Sequence, residues 1–141
     1  MSIRKNIFAG IGLNIFIFGL MLIMLHQMDV FTQLLFSFAP IILSIVVATG
    51  INYKKNIKIK NTIFISIFYT ICNFLYLILE YICMASIIDT DDIYNMNQKY
   101  NSGYITVSEN KSPILSIILF SLLSFVLHYF CIKKVCYTEE K

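Results

Sequence analysis

A carboxylate inside an oily run is where chemistry is sought first. Between Thr62 and Ile88 the chain reads TIFISIFYTICNFLYLILEYICMASII, and this run carries Glu80 together with Asn73 and Tyr76. Thr62, Ser66, Tyr69, Asn73, Tyr76 and Glu80 follow at intervals of 4, 3, 4, 3 and 4 residues, a spacing that lines them along one face of a helix. The other faces are Ile, Leu and Phe. Glu80 has a plain reading, a polar tie between helices. It also has a functional one, a proton- or cation-responsive site, because ionisable groups within a membrane commonly mark such sites. A wet outer vestibule or a subunit contact would also accommodate it.

Depth along the helices, at about 1.5 Å per residue, suggests its companions. Gly19, Ser37 and Ser121 fall near the level of Glu80, and Asn14, Ser44 and Ser124 near that of Asn73. The candidate intramembrane polar site is therefore Glu80, Asn73, Tyr76, Ser37, Ser121 and Asn14. His128, close to Lys133, is expected to snorkel to the aqueous edge, out of reach of Glu80.

No catalytic, cofactor-binding or metal-ligating set emerges, and the chain is not expected to be an enzyme. H-E-x-x-H, G-x-S-x-G and glycine-rich phosphate loops are absent. The two histidines, His26 and His128, belong to opposite ends of the expected bundle. Cys72, Cys83, Cys131 and Cys136 have no zinc or redox spacing and read as small apolar side chains. Cys136 sits where juxtamembrane acylation occurs. Asp89, Asp91 and Asp92 lack the calcium-loop pattern.

The elements that would hold these groups follow from composition. The chain has 141 residues, 58% hydrophobic and 13% charged, where soluble domains carry about 25% charged residues. Four runs approach the roughly 20 apolar residues that cross a bilayer core: 7–25, 30–50, 62–88 and 114–132. Insertion of the third survives its carboxylate. Residues 63–82 contain twelve Ile, Leu or Phe, together worth roughly −5 kcal/mol, against about 2.5–3.5 kcal/mol for one central charge. The first run is too long for a signal-peptide core and lacks a small-residue cleavage site.

Positive charge sets the orientation. Arg4 and Lys5, the loop residues Lys54, Lys55, Lys58 and Lys60, and Lys133, Lys134 and Lys141 fall on the same side of an alternating four-span path. The long loop 89–113 falls on the other side and is acidic. The expected fold is a single-domain, all-α, integral membrane four-helix bundle, N-in and C-in. Gly12 and Gly19 are expected to leave a groove for close helix contact, and Pro40 to kink the second span. Tyr53, Tyr94 and Tyr137 are placed for the interface. Asn101-Ser102-Gly103 reads as a turn and YITVS as a short strand.

Several stretches resemble the Msa family, the small four-span membrane proteins that modulate SarA. They are Asn14-Ile-Phe-Ile-Phe-Gly19, Ala39-Pro40-Ile-Ile-Leu-Ser44, the lysine-rich loop from Asn52 to Asn61, and Tyr104-Ile-Thr-Val-Ser followed by a polar break and ILSIILFSLL. The resemblance implies a bacterial cytoplasmic-membrane protein with a regulatory or signal-relay role, acting on expression of a global virulence and biofilm regulator. It supplies no catalytic or ligand residues. Two other classes compete: a small proton-coupled transporter, and a bacteriocin-immunity or holin-like protein. The expected partners are the lipid bilayer, a cytoplasmic or membrane signalling protein and further copies of the chain. No basic, aromatic-interleaved stripe points to nucleic acid.

Overall fold

The computed structural model describes residues 2–87 and 113–136. They form four long helices: α1 (Ser2–Met24), α2 (Val30–Asn52), α3 (Ile59–Ile87) and α4 (Pro113–Val135), with a 3₁₀ turn over Leu25–Gln27. All four are long and apolar enough to cross a membrane. The acidic cluster of loop 89–113, the expected strand at Tyr104–Ser108, and the aromatic positions Tyr94 and Tyr137 lie outside the described residues.

Helices extend past the apolar runs at both the first and last spans. α1 starts at Ser2 and α4 ends at Val135, so Arg4, Lys5, Lys133 and Lys134 are helical. Hydropathy marks where a chain is oily, whereas a helix continues until a cap or a breaker stops it. Asp29 caps α2, its carboxylate accepting from the Thr32 amide at 2.9 Å and the Thr32 hydroxyl at 2.8 Å. At the other end of α2 the chain turns sharply. Lys54 takes a left-handed φ of 52°, the Lys55 amide donates to the Asn52 carbonyl at 3.1 Å, and the Lys55 ammonium donates to the Ile51 carbonyl. The Lys58 carbonyl then opens α3, accepting from the amides of Asn61 and Thr62.

The helices run up and down alternately. Asn6 of α1 meets Asn52 of α2 and Tyr69 of α3, while Ser44 of α2 meets His128 of α4. Thus the start of α1, the end of α2, the start of α3 and the end of α4 share one end. α3 packs most extensively on α4 and also touches α1 and α2; it is the most enclosed of the four. The core has three layers. Ala48, Ile57, Ile65, Tyr69, Ile132 and Cys136 fill the first end, Ile17, Tyr76 and Leu77 the middle, and Met21, Leu25, Met28 and Met84 the far end. The outward faces are apolar, with Phe8, Ile23, Phe31, Val46, Leu122 and Phe130 among the most exposed side chains.

One expectation about packing is corrected. A Cβ at Gly12 or Gly19 would meet nothing, so neither makes a close contact. The close approach is at Gly10, where an added Cβ would stand 2.9 Å from the Phe68 ring and 3.0 Å from the Tyr69 ring. α1 is rotated so that Gly10, not its two later glycines, faces α3.

Candidate functional site

The six polar residues of α3 all turn inward: Thr62, Ser66, Tyr69, Asn73, Tyr76 and Glu80 are each buried. They form a polar column along the bundle interior, and the neighbouring helices meet it at three levels. At the far level Ser37 of α2 lies 2.9 and 3.1 Å from the two Glu80 carboxylate oxygens. The Ser37 hydroxyl also lies 3.1 Å from the Gln33 carbonyl of its own helix. Tyr76, one turn from Glu80, packs its ring edge-on against Phe18, with centroids 6.2 Å apart.

At the middle level Asn73 donates from Nδ2 to Ser44 Oγ at 3.2 Å and Ser124 Oγ at 3.0 Å, tying α3 to α2 and α4. His128 completes the cluster. Its Nδ1 lies 2.7 Å from the Ser124 carbonyl, an acceptor only, so Nδ1 carries a hydrogen. Its Nε2 lies 2.9 Å from Ser44 Oγ, and its ring stacks on Tyr69 with centroids 5.2 Å apart. At the first level Asn6 and Asn52 exchange amide hydrogen bonds of 3.2 and 3.0 Å. The Tyr69 hydroxyl donates to Asn6 Oδ1 at 3.4 Å, and the Cys136 thiol to the Asn52 carbonyl at 3.3 Å.

His128 does not snorkel: it is fully buried. Ser44, Ser124 and Tyr69 together offer its ring a partner on each nitrogen and a stacking face, which an aqueous edge would not. Two candidate residues bond to their own helices instead of joining the site. Asn14 donates to the Gly10 carbonyl at 2.9 Å and Ser121 to the Ile117 carbonyl at 2.8 Å. The thiol of Cys136 is buried and engaged with Asn52, which leaves it unsuited to acylation. Burial pushes this thiol above its usual range, with Lys55 acting weakly in the opposite direction. The Asn6–Asn52 pair escaped the sequence reading because Asn6 precedes the apolar run; the signal was two amides at equal depth in a helical hairpin.

The chemistry of the column rests on hydrogen counting. Ser44 Oγ has one hydrogen and two acceptors within reach, His128 Nε2 and the Ile41 carbonyl at 3.0 Å. With Nε2 bare, Ser44 donates to the ring; with Nε2 protonated, the ring donates to Ser44 and the hydroxyl turns to Ile41. Ser37 lies likewise between Glu80 and the Gln33 carbonyl, although a protonated carboxyl keeps an acceptor oxygen to which the hydroxyl can still donate. Both serines belong to α2, on either side of Pro40. Between the two ionisable groups, Asn73 Oδ1 and the Tyr76 hydroxyl are buried with no hydrogen-bond partner among the described residues. No group of three or more His, Cys, Asp or Glu that could hold a metal occurs among the described residues.

The lysine-rich loop gathers at the first end. Lys54, Lys55, Lys58 and Lys60 join Arg4, Lys5, Lys133 and Lys134 there, and these are all the described lysines and arginines. The described carboxylates, Asp29 and Glu80, belong to the opposite half. Comparison with family models, with curated proteins and with solved structures finds no match.

Proposed function

We propose that the chain is a multi-pass protein of the bacterial cytoplasmic membrane, N-in and C-in, in which protonation of a buried polar column alters α2 and thereby a regulatory signal at the basic end. The orientation is supported by the collection of all described Lys and Arg at one end of the bundle. The signalling role is supported by the pair of serines, Ser37 and Ser44, that link Glu80 and His128 to α2 across Pro40. A proton gained at His128 Nε2 redirects the Ser44 hydroxyl toward the Ile41 carbonyl, and a proton gained at Glu80 weakens the charge-assisted bond from Ser37. A proline removes one backbone bond from this segment, so the helix bends there with the least resistance. The basic loop that follows α2 directly is the element to which such a movement would pass. The likeness to the modulators of SarA supports the same reading.

The test joins structure to output. Spin labels at Tyr53 and Lys133, in lipid nanodiscs, should report a distance that changes as the pH is lowered from about 8 to about 5. The Glu80→Gln, His128→Asn double variant should abolish the change. In cells, crosslinkers at Lys55 and Lys58 should capture a signalling protein. A pH-insensitive distance, or crosslinks to nothing but the chain itself, would refute the relay.

A second reading, a small proton-coupled transporter, is favoured by one observation. The unpartnered Asn73 Oδ1 and Tyr76 hydroxyl lie between the two ionisable groups, where water could connect them. It predicts proton flux into liposomes that Glu80→Gln eliminates.

A further inference from the structure

We propose that the cleft between the α2–α3 turn and the end of α4 binds a phosphate group, that of an anionic phospholipid headgroup. The cleft has a volume of about 370 Å³ and is lined by Tyr53, Lys54, Lys134, Val135 and Cys136. Three observations carry the assignment. Two lysines from separate parts of the chain, Lys54 in the α2–α3 turn and Lys134 at the end of α4, line one concavity.

The backbone there is also held in place. Lys54 adopts a left-handed φ of 52°, a conformation that a non-glycine residue takes up at a cost and that clusters at functional sites. Its amide donates to the Val135 carbonyl at 3.1 Å, which clamps the turn against the end of α4. Glycine would fit this backbone without strain; the chain has lysine.

Position then selects the ligand. Tyr53, well exposed, stands at the end of an apolar helix, where aromatic rings collect at headgroup level. The Lys54 ammonium lies 5.3 Å from the centre of that ring, which orients it beside the cleft. Basic clusters just beyond a membrane helix attract anionic lipid, and here a shaped recess adds a defined seat. The inference rests on the bundle lying in a bilayer, but not on its regulatory role.

The full chain, reconstituted in nanodiscs of phosphatidylcholine containing phosphatidylglycerol, should retain phosphatidylglycerol preferentially on native mass spectrometry. Lys54→Ala and Lys134→Ala should each lower that preference about fivefold, while Lys58→Ala, outside the cleft, should leave it unchanged. Lys54→Gly should lose the preference with the fold intact, because the left-handed backbone suits glycine. Failure of glycerol phosphate and inorganic phosphate to displace the lipid identifies the headgroup as the ligand. Displacement by them identifies a site for free phosphate with the same chemistry. Equal retention of both lipids with no phosphate binding, or equal effects of Lys58→Ala and Lys54→Ala, would overturn the site. Recovery of the chain as a soluble protein without detergent would instead refute the membrane placement, and phosphate binding could still be read on that material.

Discussion

Asn73 shows how a single side chain organises this bundle. It donates to hydroxyls on two other helices, and hydrogen bonds between membrane helices contribute about 0.6–2 kcal/mol each. Asn73→Ala should therefore lower stability by about 1–3 kcal/mol, read by steric trapping in bicelles. Gly10 makes an equally local prediction. Gly10→Ala sets a methyl 2.9–3.0 Å from two rings, one of them, Tyr69, fully buried, and should cost about 1–3 kcal/mol; Gly12→Ala and Gly19→Ala should cost nothing by the same measurement. Residue-level facts of this kind were only partly legible in the sequence. The spacing from Thr62 to Glu80 fixed a common face, and polar groups on one face of an oily helix have only the interior to turn to. The inward turn of His128 was harder to read. Its distance from Lys133 gives depth, but rotation about the helix axis decides whether it meets water or Ser44. The better clue was Ser124, one turn earlier on the same face.

At the scale of elements, α2 carries the mechanical interest. Ser37 and Ser44 sit on either side of Pro40 and answer to different ionisable groups. Pro40→Ala restores a backbone amide and should stiffen the segment. The pH-dependent change in distance proposed above should then shrink, while hydrogen exchange across Ala39–Ser44 slows. The start of α2 is independent of this device. Asp29→Ala removes the cap on Thr32 and should cost about 1 kcal/mol without altering the pH response. Element existence was plain from the apolar runs, since a chain in lipid satisfies its backbone by forming helices. Element ends were not, because the helices continue through the charged flanks until Lys54 turns left-handed and Asp29 supplies its cap.

At the scale of the whole molecule, orientation can be tested through one thiol. Cys136 is placed at the basic end, so a membrane-impermeant maleimide applied to intact cells should not reach it. After permeabilisation its labelling at about pH 8 should still lag that of an exposed thiol, because burial keeps it protonated and the thiolate is the reactive form. The lag should narrow as the pH rises. Fast labelling from outside would reverse the orientation.

The two ends of the interior are fastened differently. At the basic end two amides hold each other by a reciprocal pair of directional hydrogen bonds. At the far end Met21, Met28 and Met84 pack through unbranched thioethers, which accommodate several arrangements at similar energy. Such a body is clamped at one end and compliant at the other. Thermal excursions would pivot about Asn6 and Asn52 and grow toward Met84, so the helices would splay on the side facing away from the lysines.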